Sequence, residues 1–133
     1  MAKSSSMASC GLTILRIVVG IVFLVHGWQK ITAMGFHGRA GMFGQIGIPL
    51  PTISSAVVIL VEFLGGIALI LGLATRWASL LLAIDMVGAI YFVHWKNGFY
   101  SNHGGYEFAL SLMAACLALA LSGAGALAID SLI

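Results

Sequence analysis

Two carboxylates lie inside strongly apolar stretches of the sequence, where ionisable side chains are rare. Glu62 lies near the middle of residues 57–73, VVILVEFLGGIALILGL, and Asp85 lies inside the apolar stretch 77–95. An ionised carboxylate surrounded by hydrocarbon is unstable, so each should face other protein and either pair with a cation or hold a proton. We therefore expect Glu62 and Asp85 to point inward, and we treat both as candidate binding residues.

Arg16 is the cation that the chain could bring level with these carboxylates. If the apolar stretches are antiparallel helices, Arg16 is about 5 residues deep, Asp85 about 8 and Glu62 about 11, at roughly 1.5 Å rise per residue. We predict a buried network of the three side chains, in which one carboxylate can keep a proton. The network could be an ion-paired lock that fixes helix register, or a proton-carrying or redox-substrate site.

A second polar set gathers at the opposite ends of the helices. His26 and Lys30 are four residues apart on one helix face, and His94, His103 and Glu107 lie near the same end. We predict that His26, Lys30 and Glu107 line a polar pocket. No histidine pair has the i, i+4 spacing of a helical metal site, so we assign no metal ligands.

Aromatic residues are concentrated at this same end. They are Tyr91, Phe92, Trp95, Phe99, Tyr100 and Tyr106. Flat aromatic walls with a few polar groups would suit a quinone headgroup, and the same residues would equally form an interfacial belt in a membrane. The sequence has no nucleophile triad, phosphate-binding loop, haem-attachment or iron–sulfur motif, so no catalytic residue is assigned and enzymatic activity stays open.

The composition indicates a protein whose solvent is lipid. Of the 133 residues, 61% are hydrophobic and 8% are charged, whereas a soluble domain carries about 25% charged residues. So few charges cannot cover a water-soluble surface. The lipid bilayer is thus the expected partner, with a partner protein or a second copy beside it. The basic residues are scattered, which excludes a nucleic-acid-binding patch.

Hydrophobic segments and turn residues predict an all-α integral membrane four-helix bundle with short connections. The predicted helices span about 11–31, 52–73, 77–95 and 106–122, within a domain over residues 11–130 that follows a polar amino-terminal tail over residues 1–10. A longer Gly/Pro-rich loop over about 32–51 joins the first two helices, either as a surface loop or as a lid over a site.

Four spans place both termini on one face of the membrane. Positive charges divide equally between the two faces: Lys3, Arg16 and Arg76 against Lys30, Arg39 and Lys96. The positive-inside rule therefore does not orient the chain. We expect a multi-pass membrane protein with cytoplasmic termini.

Several short motifs, in their order and spacing, resemble those of the DoxX family of small bacterial membrane proteins. They are Arg16 with Gly20, His26-Gly27-x-x-Lys30, Gly47-Ile48-Pro49-x-Pro51, Glu62-x-x-Gly65-Gly66, Gly72-Leu73-x-Thr75-Arg76, Gly104-x-x-Glu107, and Gly123-x-Gly125 with Asp130. The resemblance implies a four-helix inner-membrane protein. It also implies a link to the membrane subunit of a thiosulfate:quinone oxidoreductase, or to membrane anchors of thiol-handling and oxidative-stress enzymes.

Three functions remain open on these observations. The first is a membrane subunit or anchor of a redox complex that contacts quinone through His26, Lys30, Glu107, Arg16, Glu62 and Asp85. The second is a non-catalytic scaffold whose charges only lock the bundle. The third is a small proton-linked transporter, which would need an oligomer because four helices leave little room for a gated path.

Overall fold

The chain is helical in almost every part that the structure describes. The structure, a computed structural model, describes residues 2–132, apart from the side chains of residues 2–5, 34 and 36. The α-helices are α1, Ala2–Gln29; α2, Gly35–Gln45; α3, Pro51–Leu71; α4, Thr75–Ala89; and α5, Glu107–Ser122. Two π-helical turns, Lys30–Met34 and Ile90–His94, continue α1 and α4. The prediction of an all-α fold is confirmed.

Three helical segments are long and apolar enough to cross a membrane. They are Ser6–Ala33, Pro51–Leu71 and Thr75–Asn97, and α5 is a shorter apolar helix beside them. Large apolar side chains on their outer surfaces are exposed, for example Ile14, Val25 and Leu60. Such a surface is stable against acyl chains but not against water. The helices therefore form the predicted four-helix membrane bundle.

Glycines bring α1 and α3 into backbone contact. A Cβ atom added at Gly66 would lie 2.5 Å from the backbone nitrogen of Leu24 and 2.7 Å from the carbonyl oxygen of Gly20. A Cβ atom at Gly27 would lie 2.7 Å from the backbone nitrogen of Phe63. Gly20, Gly27 and Gly66 therefore allow the two helices to pack closely.

The amino-terminal part of the chain differs from the predicted loose tail. Helix α1 begins at Ala2, so residues 2–10 of the predicted tail continue the first helix, while Met1 lies outside the described residues. Alanine and serine in this stretch tolerate helical geometry, and a long helix propagates readily once it has formed. The polar composition of the stretch was therefore a poor guide to its conformation.

The long connection between the first two membrane helices also differs from the predicted loop, because it contains α2. The breaks in this connection fall at Gly35 (φ 74°) and Gly47 (φ 85°), whose backbones adopt positive φ values that favour glycine. Between them Phe43 is almost fully buried under α2. Tertiary packing of this apolar side chain outweighs the low helix propensity of the interior glycines.

A tight turn at residues 72–74 makes α3 and α4 antiparallel neighbours. Gly72 (φ 70°) ends α3 and Ala74 (φ 48°) precedes α4, both in the left-handed region. Glu62 and Asp85 are almost equally far along the chain from this turn. They therefore lie at the same depth in the bundle, on facing helices.

Candidate functional site

A cavity of about 670 Å³ lies in the half of the bundle remote from the chain termini. We call this end the far side and the end with the termini the near side. All five α-helices contribute to the cavity walls, which are mostly apolar. Its polar lining residues are His26, Lys30, Arg39, Ser54, Glu62, Asp85 and His94. The cavity thus gathers four of the six predicted site residues: His26, Lys30, Glu62 and Asp85.

Lys30 and Glu62 form an ion pair at the floor of the cavity. Lys30 Nζ donates a hydrogen bond to Glu62 Oε1, and the side chain of Glu62 is only 3% exposed. Lys30 reaches the carboxylate because it begins the π-helical turn at the end of α1, close to the middle of α3. A carboxylate this deeply buried requires such a partner. Lys30, rather than Arg16, is therefore the cation that neutralises Glu62.

Asp85 completes this cluster from α4. It lies close to Glu62, and the charges of Glu62 and Lys30 act on it. Two neighbouring carboxyl groups favour keeping one proton between them. Asp85 Oδ2 is buried and has no hydrogen-bond partner among the described residues. The pair can therefore hold a proton.

Arg39 enters the cavity from α2. Its Nε atom is buried without a hydrogen-bond partner in the part of the chain that the structure describes, and Nη1 only approaches the sulfur of Met42, at 3.9 Å. Burial lowers the pKa of Arg39, and the charge of Glu62 opposes this shift. Arg39 therefore adds a cation to the lining of the cavity.

Arg39 was not predicted as a site residue, although the sequence contained a usable signal. Arg39, Met42 and Phe43 have the i, i+3, i+4 spacing of one helical face, and all three line the cavity. Because residues 32–51 were predicted to form a loop, this helical face was not recognised. Of the two interpretations of that stretch, the position of α2 over the cavity favours the lid.

Two histidines present ring nitrogens near the cavity. Nδ1 of His26 donates to the carbonyl of Val22 at 2.8 Å, and Nδ1 of His94 donates to the carbonyl of Gly104 at 2.8 Å. A carbonyl can only accept, so each Nδ1 carries a proton. In the neutral rings, Nε2 is then an acceptor.

Arg16 does not join Glu62 and Asp85, so the predicted three-residue network is wrong. Arg16 is fully buried on the near side, where each of its five N–H groups donates to a backbone carbonyl at 2.9–3.1 Å. The acceptors are Leu69, Ile70, Ala124, Ala126 and Leu127. These carbonyls end α3 or follow α5, where no intrahelical donor is available. The guanidinium of Arg16 therefore bonds to these carbonyls and not to Glu62 or Asp85.

Asp130 completes this structural cluster on the near side. Its carboxylate accepts hydrogen bonds from the backbone nitrogens of Ala74 (2.6 Å) and Thr75 (2.9 Å) at the start of α4. Burial opposes ionisation, but the bonds from Thr75 and Ala74 and the charge of Arg16 outweigh it and lower the pKa of Asp130. The near side therefore holds helix ends together.

Glu107 also lies outside the cavity. Its Oε1 accepts hydrogen bonds from the backbone nitrogen (3.2 Å) and hydroxyl (2.7 Å) of Ser101. Glu107 is the first residue of α5, where a carboxylate interacts favourably with the helix dipole. The structure thus places Glu107 at the start of α5, bonded to the preceding loop, and not in the cavity with His26 and Lys30.

Most of the far-side aromatic residues stack on one another at the surface. The rings of Trp95 and Tyr106 are stacked with centroids 5.3 Å apart, and Phe99 meets Tyr106 edge-on at 5.6 Å. Tyr91 and Trp95 are largely exposed, whereas Phe92 lines the cavity. This arrangement favours the interfacial-belt interpretation, with Phe92 contributing to the cavity wall.

Comparisons with known proteins identify relatives of this chain. The sequence profile of the DoxX family matches residues 11–95. The chain is similar to a Bacillus subtilis protein named "Putative oxidoreductase CatD", with 38% identity over 90% of this chain and 84% of that protein. It is also similar to the Escherichia coli inner membrane proteins YqjF (32% identity over 92% of each chain) and YphA (28% identity over 90% of this chain and 87% of YphA). No solved structure matches the chain.

Proposed function

This chain belongs to the DoxX family of membrane proteins, and we propose that it is an inner-membrane subunit of a bacterial redox complex that binds a quinone in the far-side cavity. The observation that carries the proposal is the cavity itself. It combines apolar walls with the Lys30–Glu62–Asp85 cluster and with the side chain of Arg39. A quinone ring needs apolar contacts on its faces and polar groups at its oxygens.

The size of the cavity suits a headgroup of this kind. Its volume of about 670 Å³ falls within the roughly 300–1,000 Å³ that is usual for small-molecule sites. Phe92 and Phe108 supply aromatic walls. Arg39 and Lys30 also line the cavity, and their cationic groups would donate hydrogen bonds to the oxygen atoms of such a ring.

We infer that the cavity opens towards the hydrocarbon of the membrane between α3 and α4. Ile53 and Val57 of α3 and Ile84 of α4 line the cavity and are also 53–60% exposed. A ligand with a long apolar tail could place its ring on the polar floor and leave its tail among the acyl chains. Lipid-soluble quinones have this shape.

The residues of this chain would bind the ring and hold protons. A bound quinone would supply the electron-carrying chemistry. Lys30 keeps Glu62 in place, and the Glu62–Asp85 carboxyl pair can hold or release a proton beside a ring oxygen. Because the sequence lacks haem-attachment, iron–sulfur and nucleotide-binding motifs, the electrons would come from or pass to a partner enzyme, such as a thiol-handling or oxidative-stress enzyme.

Two further observations agree with this proposal. The name of the Bacillus subtilis relative CatD carries the word oxidoreductase. In addition, Lys30 begins one π-helical turn and His94 ends the other, and both line the cavity. Local π-helical turns inside α-helices are frequent at functional sites.

Calorimetric titration of the purified protein in lipid nanodiscs tests the proposal. The probe is a decyl-tailed benzoquinone with the ubiquinone headgroup. We expect wild type to bind it with a micromolar dissociation constant. We expect Lys30→Ala and Glu62→Gln to weaken binding about tenfold or more, because each leaves a buried charged or polar group without its partner.

Matched variants outside the cavity serve as controls. Lys96→Ala removes an exposed lysine, and Glu107→Gln removes a carboxylate that bonds only to Ser101. Both should bind the probe as wild type does. Lack of binding by wild type, or equal binding by the Glu62→Gln and Glu107→Gln proteins, would overturn the proposed function.

A further inference from the structure

We propose that a second pocket, on the near side of the bundle, binds the phosphate of an anionic phospholipid through Arg76. The inference does not rest on quinone binding, because the pocket is separate from the far-side cavity. It has a volume of about 430 Å³ and lies between the start of α4 and the segment that follows α5. Its polar lining residues are Thr75, Arg76, Ser122, Asp130 and Ser131.

Arg76 presents an unused cation to this pocket. The residue is exposed, and its guanidinium lies against Gly123 in the pocket wall, where an added Cβ atom would be 3.2 Å from Nε and 3.4 Å from Nη2. Arg76 forms no hydrogen bond or ion pair with any residue that the structure describes. Its five N–H donors are therefore available to a ligand, and their planar arrangement matches the oxygens of a phosphate.

The charges on the near side favour an anion as that ligand. Each oxygen of Asp130 already accepts a backbone hydrogen bond, from Ala74 or from Thr75. The charge of Asp130 is offset by that of Arg16, which acts on it electrostatically. Two cations, Arg16 and Arg76, against one anion, Asp130, leave a net positive charge among the near-side residues that the structure describes. A ligand with a net negative charge is therefore favoured over a zwitterion.

The pocket lies at the level of the membrane surface. One membrane-spanning segment ends at Leu71 and the next begins at Thr75, so the pocket is at their common boundary. Trp77 lines the pocket beside Arg76 and is largely exposed. Tryptophan is enriched at membrane interfaces, and basic pockets between membrane helices at this level bind lipid headgroups.

Exposed leucines continue from the pocket towards the middle of the bilayer. Leu80 lies one helical turn after Arg76 on α4, and Leu117 and Leu121 lie one turn apart at the near end of α5. A phospholipid with its phosphate at Arg76 can lay its acyl chains over these side chains. A soluble anion would make no use of this apolar surface, so the arrangement favours a lipid over free phosphate.

Native mass spectrometry of delipidated wild type in detergent tests this inference. The probes are phosphatidylglycerol, which is anionic, and phosphatidylethanolamine, which is zwitterionic, with identical acyl chains. We expect phosphatidylglycerol to bind about fivefold more tightly, the effect of one basic residue near the membrane surface. Excess inorganic phosphate should not displace it, because free phosphate lacks the acyl chains.

Variants assign the preference to Arg76. Arg76→Gln should bind the two lipids equally, whereas Arg76→Lys should keep most of the preference, because lysine keeps the charge. Lys96→Gln removes an exposed lysine outside the pocket and should behave as wild type. Because Arg76 and Lys96 are exposed, all three variants should unfold at the wild-type temperature, which thermal unfolding checks.

The outcomes separate this site from a general attraction of lipid to positive charge. Equal affinity of wild type for the two lipids, or a preference that survives Arg76→Gln, contradicts the proposed site. Equal losses in Arg76→Gln and Lys96→Gln would show charge attraction without a site. Displacement of phosphatidylglycerol by inorganic phosphate would contradict the assignment to a lipid. Quinone binding at the far side is measured with another probe, so its success or failure is independent of these results.

Discussion

Arg16 of α1 and Lys30, which begins the π-helical turn after α1, have different roles. Arg16 donates all five of its N–H groups to backbone carbonyls, whereas Lys30 pairs with Glu62 in the cavity. The planar guanidinium presents its donors in a fixed fork that can serve several carbonyls at once, and an ammonium group cannot. Arg16 is therefore structural, and Lys30 belongs to the candidate site.

Replacing Arg16 should destabilise the protein without removing its ligand site. Arg16→Lys leaves at most three of the five hydrogen bonds, and we expect it to lower the free energy of unfolding by about 2–4 kcal/mol, because buried carbonyls are left without donors. The midpoint of thermal unfolding in detergent, followed by tryptophan fluorescence, measures this change. Quinone affinity at low temperature should remain that of wild type.

Arg76→Lys is the matched control, since Arg76 is exposed on the near side. It should unfold at the wild-type temperature. An Arg16→Lys protein that is as stable as wild type would contradict the structural role of Arg16. A stable Arg16→Lys protein that no longer binds quinone would show that Arg16 belongs to the binding site.

At this scale, the sequence predicted which side chains turn inward but not which of them meet. The inward position of Glu62 followed from the instability of a lone carboxylate in hydrocarbon. Its partner was predicted wrongly, because depth along the helices placed Arg16 level with Glu62 and Lys30 at the opposite end, whereas Lys30 forms the ion pair. The deciding factor was the set of unpaired carbonyls after Ser122, the end of α5, which forms only in the folded chain.

The contact between α1 and α3 positions the cavity floor. Gly20 and Gly66 let the two backbones touch, and this contact brings Lys30 at the end of α1 to Glu62 on α3. Membrane helices associate mainly through such close packing, because lipid gives no hydrophobic drive for two helices to join. A change in the contact between α1 and α3 should therefore alter the position of Lys30 relative to Glu62.

Gly66→Ala should separate α1 from α3 and loosen the Lys30–Glu62 pair. The new Cβ atom would meet backbone atoms of Leu24 and Gly20 at 2.5 and 2.7 Å, and backbone cannot move aside as a side chain can. We expect a loss of stability of about 1–3 kcal/mol and weaker quinone binding. Thermal unfolding and calorimetric titration of the same sample measure both effects.

Gly11→Ala, on the partner helix α1, provides the control, because a Cβ atom there would have no neighbour within 4 Å. Alanine also favours helix over glycine by about 1 kcal/mol, so this variant should be as stable as wild type or more so. Equal stability of the Gly66→Ala and Gly11→Ala proteins would show that the helices are not in backbone contact.

Among the elements, the membrane helices could be predicted and α2 could not. The helices α3 and α5 follow from long apolar runs that end in glycine, a signal contained in the local sequence. Helix α2 has four glycines among its eleven residues, and its stability comes from burying Phe43 against the bundle. The stabilisation from burying Phe43 depends on tertiary contacts, which the local sequence indicates only weakly.

At the scale of the whole molecule, the near side of the bundle holds residues that stabilise the fold, and the far side holds the candidate binding site. The near side holds Arg16 and Asp130 on helix termini, and the far side holds the cavity under α2. Composition and motifs were sufficient to predict a DoxX-type membrane bundle. The cavity was beyond prediction, because its volume depends on how far α3 and α4 diverge from their common turn and on the helix that covers them.

The central claim, that the Glu62–Lys30 floor holds a quinone inside the membrane, can be tested on protein taken directly from native membranes. The measurement is quantification by mass spectrometry of quinone extracted from purified wild type, Glu62→Gln and Glu107→Gln. We expect near-stoichiometric quinone with wild type and Glu107→Gln, and about tenfold less with Glu62→Gln, as for the loss of a charged hydrogen bond. Quinone at the level of the surrounding lipid in wild type, or equal amounts in all three proteins, would contradict the claim.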